Sequence, residues 1–200
     1  PQMSAVVVTG EPKAYAWGIV NGLAAWTAKP TNGPEAELWF GTHHAGLSSV
    51  KEQLGGGDAI NSSLLVKILA AAKPLSIQIH PDADAIAWIN THGQQHLLAD
   101  DHLKAEMLIA VESFDVLVGL RDVRSATKIL SALGPDYAEA GRALEHGGWR
   151  ELLRWMVSSA PAADISAALD GLSSDEQRIM QKVVSAFADD PSLPVAFMMT

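Results

Sequence analysis

The 200-residue sequence contains no cysteine, which excludes disulfide bonds, thiolate zinc sites and cysteine nucleophiles. No apolar run approaches the roughly 18 residues that a membrane-spanning helix needs, and no signal peptide is recognisable at the start. Basic residues are scarce, since 14 Lys and Arg stand against 23 Asp and Glu for a formal net charge of −9. Nucleic-acid binding needs clustered cations and is excluded, whereas an anionic small substrate needs only a few local ones.

The composition is that of a folded protein. Hydrophobic residues make up 48% of the chain and charged residues 18%, which excludes wholesale disorder. The length fits one domain or two small ones with a real core. We therefore expect a soluble globular protein of the cytoplasm that has neither a membrane nor a nucleic acid as partner.

The first part of the chain, residues 1–121, has the pattern of a β-rich domain. Short apolar runs between turn residues predict strands at Ala5–Thr9, Ala36–Phe40, Leu75–His80 and Glu106–Val111. Two further segments are predicted to be helical: Ser62–Ala72, which Lys73 and Pro74 would end, and Asp82–His92, which Asp82 would cap.

Beyond Arg121 the apolar periodicity becomes helical, and it predicts an all-helical subdomain over residues 122–190. The predicted helices are Val123–Leu133, Asp136–Leu144, Trp149–Ser159, Ala162–Leu169 and Ser173–Ala188. Residues 191–200 differ, because Leu193–Met199 is apolar throughout and predicts a buried strand. Such a strand must join a sheet, either in this chain, in a missing second β region or in another chain.

Two segments carry candidate metal ligands. Gln78 and His80 alternate along a predicted strand and therefore share one face, where an amide oxygen and an imidazole would form half of a zinc site. A strand histidine beside a turn at Pro81 is the alternative interpretation. Lys104 and Glu106 share a face in the same way, and Glu106 supplies the carboxylate that the pair would need. An ordinary solvated strand face is the alternative there.

Other conspicuous side chains have structural interpretations. Trp17 and Trp39 are typical of core anchors, and the adjacent His43 and His44 point to opposite faces if they lie on a strand. Lys67 is either a lysine that extends its head to solvent or a buried functional cation. The remaining histidines are expected to be structural or exposed: His92, His96 and His146.

Five motifs, taken in order, resemble the signatures of type I phosphomannose isomerases, the zinc-dependent isomerases of the cupin superfamily. They are YAWG at 15–18, ELWFGTH at 37–43, VKILAAAKPLSIQIHP at 66–81, LKAEM at 103–107 and FDVLVGLR at 114–121. The block around Gln78 and His80 is the most specific. One departure is Leu103, which stands where the family has a histidine.

The resemblance implies a site and a reaction. The positions that match the family's zinc ligands are Gln78, His80 and Glu106. The positions that match its substrate-site residues are Lys104, with a catalytic role, and Trp17, Ser76 and Lys67, which contact the sugar phosphate. The implied reaction interconverts mannose 6-phosphate and fructose 6-phosphate through an enediol, with zinc as cofactor.

The resemblance also implies an architecture. The fold class is α+β: a cupin-type β-sandwich (jelly roll), incomplete at its C-terminal side, plus the all-helical subdomain. Family members are about twice as long, and their second β region supplies a fourth zinc ligand and a catalytic arginine. The alternative is a truncated or degenerate cupin module that binds metal or a partner chain without catalysis.

Overall fold

The structure is a computed structural model, and it contains two compact units, Pro1–Leu75 and Ser76–Thr200. The residues that it describes are 5–27, 31–43, 48–54, 63–98, 102–159, 161, 165–189 and 192–200. Strands lie in the first unit and most helices in the second, so the mixed composition of strand and helix expected from the sequence is confirmed. Among the described helices, none is long and apolar enough to cross a membrane.

The first unit is built from short antiparallel strands and one turn of helix. Its strands are β1 (Ala5–Thr9), β2 (Glu11–Lys13), β3 (Ile19–Val20), β4 (Pro34–Glu35), β5 (Glu37–Phe40), β6 (Ser49–Leu54) and β7 (Val66–Leu69). The helix α1 (Ala24–Thr27) separates β3 from β4. β1 pairs with β6 and β3 with β4, while β5 pairs with β2 on one side and β7 on the other. The strands predicted at Ala5–Thr9 and Ala36–Phe40 are therefore confirmed.

β5 is the centre of the three-stranded sheet and separates its two faces. Successive side chains of a strand point to opposite faces. Leu38 lies opposite Ile68 of β7 and faces a small apolar core. The members of this core are Leu23, Leu38 and Ala70, with Phe40 and Ile68 packed against them.

The helix predicted at Ser62–Ala72 is wrong, because its described part contains β7. Val66–Leu69 runs antiparallel to β5, with Phe40 opposite Val66 and Glu37 opposite Leu69. Helix propensity differs among ordinary residues by only about 0.7 kcal/mol each. The paired hydrogen bonds to β5 and the packing of Ile68 outweigh that small preference.

The second unit is predominantly helical. Its elements are α2 (Ala83–Thr91), a 3₁₀ turn (Gln95–Leu97), α3 (Val123–Ala132), α4 (Pro135–Ser159), α5 (Ser166–Leu169), α6 (Ser174–Ala186) and α7 (Ser192–Met198). The helices predicted at Asp82–His92, Val123–Leu133 and Ser173–Ala188 are confirmed as α2, α3 and α6. Of the helix predicted at Ala162–Leu169, residues 162–164 lie outside the described part of the chain.

Side-chain caps explain where these helices begin. The Asp82 carboxylate accepts a hydrogen bond from the Ala85 N–H at 2.8 Å at the start of α2. At α6, Ser173 and Glu176 form the predicted capping box, since the Ser173 N–H donates to Glu176 Oε2 at 2.7 Å and the Glu176 N–H donates back to Ser173 Oγ.

α4 replaces the two helices predicted at Asp136–Leu144 and Trp149–Ser159. The two predicted helices form one continuous element, and Gly148 lies at the junction between them with a φ of +69°. Only glycine adopts such a backbone at little cost, so the break expected at this glycine is present as a kink.

One apolar core holds helices α3 to α7 of the second unit together. Its buried members are Ala126, Ile129, Leu130, Tyr137, Ala140, Leu144, Leu152, Ile165, Ala168, Leu172, Met180, Val183, Val195, Phe197, Met198 and Met199. Tyr137 has the largest fully buried side chain, and its hydroxyl donates to the Pro161 carbonyl oxygen at 2.6 Å. Burial raises the pKa of the Tyr137 hydroxyl.

The strand predicted at Leu193–Met199 is wrong, because α7 occupies this segment. Val195, Phe197 and Met198 are buried in the helical core, so the apolar run is buried without a sheet to join. It is therefore not presented as a strand for pairing with another domain or chain. The further division of the chain at residues 121 and 190 stays a prediction.

The strands predicted at Leu75–His80 and Glu106–Val111 are wrong as well. The described residues 74–82 and 103–110 have no regular secondary structure and pair with no strand. A strand exists only through the hydrogen bonds of a neighbour, and apolar alternation by itself does not supply one. The apolar side chains of these segments are consequently exposed, with Ile79 at 78% and Met107 at 87%.

Two side chains attach the extended segment before α3 to the last helices. Arg121 donates from Nε to the Met198 carbonyl oxygen at 2.6 Å, and its Nη2 lies 2.5 Å from Glu176 Oε1. Asp115 accepts hydrogen bonds from Arg178 and Lys182 of α6 at 2.8 to 2.9 Å. These hydrogen bonds and charges hold the pKa of Asp115 well below its usual range.

Glu176 gives the second unit an acid-sensitive contact. Hydrogen bonds from Ser173, and then the Arg121 guanidinium, lower the pKa of Glu176 from 4.5 to about 2. Because the folded-state pKa is depressed, the stabilisation is fully present above 4.5 and is lost as pH falls towards about 2. We expect Glu176→Gln to reduce the free energy of unfolding at neutral pH and to reduce its loss between about pH 5 and pH 2.

The measurement is urea unfolding followed by the helical circular dichroism signal across this pH range. Glu145→Gln is the control, because Glu145 is an exposed carboxylate on α4. Identical pH slopes for wild type and Glu176→Gln would contradict the assignment.

Candidate active site

One face of the β2–β5–β7 sheet carries charged and aromatic side chains. The register places Trp39 of β5 opposite both Glu11 of β2 and Lys67 of β7, and Glu37 opposite Lys13. All five side chains share the face opposite the apolar core. Glu37 on this face is buried, and because charged residues are rarely buried without partners, the face is a candidate functional surface.

Trp39 is the residue around which this charged face is organised. Its Nε1–H donates to Glu37 Oε2 at 2.5 Å. Two ammonium groups lie over its ring, Lys67 Nζ at 4.3 Å and Lys13 Nζ at 5.0 Å from a ring centroid. The imidazole of His43 meets the indole edge-on at 5.3 Å. Cation–π contacts at such distances stabilise by about 0.5 to 2 kcal/mol each.

Glu37 is a buried carboxylate, with only 8% of its surface exposed. An uncompensated buried charge is costly, so its partners decide whether it is tolerated. One oxygen accepts the Trp39 N–H, and the other lies 4.0 Å from Lys67 Nζ. The carboxylate thus links the indole to the lysine ammonium.

Glu35, two residues earlier, is buried for a structural reason. Its carboxylate accepts hydrogen bonds from the Leu23 N–H at 2.7 Å and the Thr31 N–H at 3.0 Å. Burial works to raise the pKa of Glu35, but these hydrogen bonds outweigh it and the pKa lies below its usual value. Glu35 therefore fixes loop backbone and is not available for a ligand.

The YAWG segment forms a tight turn that places Trp17 beside the sheet. The Gly18 N–H donates to the Tyr15 carbonyl oxygen at 2.9 Å, and the Trp17 carbonyl oxygen accepts from the Ala72 N–H at 2.8 Å. A Cβ at Gly18 would lie only 2.6 Å from the backbone nitrogen of Ala36, so the position requires glycine. The rings of Tyr15 and Trp17 lie 5.7 Å apart and form a tilted aromatic pair.

In the second unit, the structure brings together two of the predicted zinc ligands. His80 Nε2 lies 3.1 Å from Glu106 Oε2, although the two residues are far apart in sequence. His80 is largely covered and Glu106 is exposed, with side-chain exposures of 29% and 66%. An imidazole nitrogen and a carboxylate oxygen at this separation can form an ion pair, or can bind a common cation.

The other predicted residues of this unit lie on the same two segments. Gln78 Nε2 donates to Ser76 Oγ at 3.2 Å, so the amide oxygen, the atom that binds cations, is not the atom that Ser76 engages. Lys104 is exposed two residues before Glu106. Within the described part of the chain, no three His, Cys, Asp or Glu side chains are arranged to hold a metal ion.

Two of the histidines that were not predicted as ligands are His92 and His44. His92 lies at the end of α2, where its ring stacks on Trp88 at 4.0 Å and its Nδ1 is 2.8 Å from the Trp88 carbonyl oxygen. This is the structural role expected of it. His44 lies outside the described residues.

Glu37 is the residue that the sequence analysis missed, and Trp39 was interpreted only as a core anchor. The alternation of Glu37 and Trp39 in ELWF was the available signal. This alternation becomes informative only when Lys67 lies opposite Trp39 on a paired strand. The segment with Lys67 was predicted to be a helix, so this pairing was not expected.

Comparison with known proteins identifies the relatives of this chain. The family model for the catalytic domain of type I phosphomannose isomerase matches residues 51–123. Mannose-6-phosphate isomerase of Schizosaccharomyces pombe is 31% identical in an alignment 148 residues long, and the match covers 62% of this chain and 36% of that protein. The enzyme of Ogataea parapolymorpha is 25% identical in an alignment 219 residues long, and the match covers 92% of this chain and 47% of that protein. The chain thus spans half or less of the length of these relatives.

Solved structures give the same result for the fold. Mannose 6-phosphate isomerase from Salmonella typhimurium, bound to fructose 6-phosphate and zinc, aligns with a TM-score of 0.59 at 20% identity. The alignment covers 94% of this chain and 59% of that one. A K132A variant of the Salmonella protein aligns with a TM-score of 0.63 at 17% identity. The resemblance read from the motifs is confirmed.

The YAWG turn leads to a stability prediction. Gly18→Ala forces a methyl group against the Ala36 backbone, which cannot move aside as a side chain could, and we expect a loss of about 1–3 kcal/mol in the free energy of unfolding. Gly33→Ala is the control, since its nearest neighbour would be the Thr31 hydroxyl at 4.0 Å. Urea unfolding followed by tryptophan fluorescence measures both, and equal stabilities would contradict the close approach.

Proposed function

We propose, for a chain related to the type I phosphomannose isomerases, that it takes part in the zinc-dependent interconversion of mannose 6-phosphate and fructose 6-phosphate. The observation that carries this proposal is the 3.1 Å contact between His80 and Glu106. Both residues lie within residues 51–123, which the family model matches, and both stand at positions where the motif resemblance implies zinc ligands. Their adjacency supports a shared ligand more directly than either motif alone.

The donor set fits a zinc ion. Zinc accepts imidazole nitrogen and carboxylate oxygen, and His80 and Glu106 already present these atoms to each other. Gln78 would add its amide oxygen as the third ligand. Bound zinc would polarise the sugar carbonyl and stabilise the negative charge that develops during isomerisation.

The substrate residues have distinct proposed roles. Lys104 would act in catalysis by placing positive charge beside the sugar oxygens as a proton is moved between C1 and C2. Trp17 would offer an apolar ring face to the sugar, and Ser76 a hydroxyl. Lys67 would provide a cation for the phosphate.

The proposed architecture is a cupin-type jelly roll that is incomplete at its C-terminal side, followed by the helical subdomain. Antiparallel pairing in the first unit and the alignment with the Salmonella structures support it. The alternative function is a non-catalytic cupin module that binds metal or a partner chain. The matches to the two curated relatives cover 36% and 47% of their lengths.

The direct test is isomerase activity of the purified 200-residue chain with zinc supplied. We expect turnover of mannose 6-phosphate that is lost on chelation and restored by zinc, with metal content quantified in parallel. Zinc binding without turnover would establish the non-catalytic alternative for this chain. Absence of both would overturn the proposal.

A matched pair of variants tests the metal site without relying on activity. Glu106→Gln removes a ligand carboxylate, and we expect zinc affinity to fall by roughly a hundredfold or more. Glu112→Gln removes an exposed carboxylate six positions later and should leave the affinity unchanged. Competition with a chromogenic chelator measures both, and equal affinities in the two variants would exclude Glu106 as a ligand.

A further inference from the structure

We infer that Glu37 and Trp39 are positioning residues that hold the Lys67 ammonium group where a phosphorylated sugar can bind it. The inference deepens the proposed function and rests on it, because Lys67 is there the cation for the phosphate. It adds two residues to that role, one of them a buried carboxylate and the other a tryptophan that resembles a core anchor.

The strand register makes the arrangement rigid. Trp39 and Lys67 are directly opposed on adjacent antiparallel strands, and Glu37 precedes Trp39 by two residues on the same face. Each of the three side chains therefore originates from a hydrogen-bonded strand and not from a loop. The register fixes the point from which each side chain extends, so only rotation about the side-chain bonds can change their relative positions.

The contacts restrain the Lys67 side chain and leave the hydrogen-bond donors of its ammonium group available. Lysine has four rotatable side-chain bonds, and fixing them costs up to about 2 kcal/mol of rotamer entropy when a ligand binds. The indole face at 4.3 Å and the Glu37 carboxylate at 4.0 Å hold the ammonium in place before binding. Neither contact is a short hydrogen bond, so the N–H donors of Lys67 stay available to an anion.

The two oxygens of the Glu37 carboxylate have different partners, which supports this interpretation. Its Oε2 accepts the Trp39 N–H at 2.5 Å, which fixes both the carboxylate and the indole plane. Its Oε1 is turned towards Lys67 at the longer distance. A carboxylate engaged in this way orients the lysine but does not neutralise it as a close ion pair would. The Lys67 side chain is 34% exposed, so an incoming ligand can reach it.

A purely structural role would produce a different pattern of effects. If Glu37 and Trp39 only filled the interior, their replacement would lower stability and would leave the order of the lysine side chain and the recognition of phosphate unchanged. If they position Lys67, replacement alters both. The variants are Glu37→Gln, which keeps an acceptor for the indole but removes the charge, and Trp39→Phe, which keeps a ring but removes the N–H.

The first measurement uses the free protein. The Lys67 methylene protons over the indole should show an upfield ring-current shift in proton–carbon spectra, assigned through Lys67→Gln. We expect Glu37→Gln to reduce this shift, while Glu145→Gln, at an exposed carboxylate of α4, leaves it intact. An unchanged shift in Glu37→Gln overturns the inference.

The second measurement uses mannose 6-phosphate and the zinc-supplied chain in titration calorimetry. We expect Glu37→Gln to weaken binding by roughly tenfold, about 1.4 kcal/mol, and Trp39→Phe to weaken it less. Glu145→Gln should bind as wild type does. Wild-type binding that Glu37→Gln leaves unchanged overturns the inference alone, whereas a wild type with the shifted lysine signal and no binding overturns the proposed function.

Discussion

The pairing of β5 with β2 and β7 is the constraint on which the candidate site of the first unit depends. Because side chains alternate along a strand, burying Leu38 and Phe40 in the apolar core places Glu37 and Trp39 on the other face. A slip of one residue would exchange the two sets, so the same hydrogen bonds that secure the core also secure the charged face. The same strand register is therefore required for the packing of the core and for the geometry of the charged face.

The second unit arranges its candidate ligands differently. His80 and Glu106 lie on extended segments without strand partners, and exposed ion pairs stabilise by only about 0–1 kcal/mol. Order is supplied at the end of the second segment, where Asp115 binds α6 and Arg121 binds the carbonyl oxygen of Met198. The helical core therefore supports a chain segment that carries the candidate ligand Glu106 but has no regular secondary structure.

Elements that are specified by interactions local in the sequence were predicted correctly, and elements that depend on partners distant in the sequence were not. The helices α2, α3 and α6 are specified locally by caps such as Asp82 and Ser173, and they were predicted. Strand β7 and helix α7 depend on distant partners, β5 in one case and the core around Val195 in the other, and both were misassigned. For the site, the family resemblance of the motifs around His80 and Glu106 was enough to imply that the two residues belong together. The role of Glu37 depends on the strand register that places Trp39 opposite Lys67, and no strand register follows from a segment that is predicted to be a helix.

The exposed apolar segment before α3 affects how copies of the chain behave towards one another. Its side chains include Met107, Ile109 and Val118, exposed at 87%, 77% and 84%. Surfaces of this kind attract each other at short range, while the net charge of −9 repels at long range. Salt shortens that repulsion to about 8 Å at physiological ionic strength and about 3 Å at 1 M. We therefore expect the tendency of the chains to associate to rise with ionic strength and to be lowest in dilute buffer.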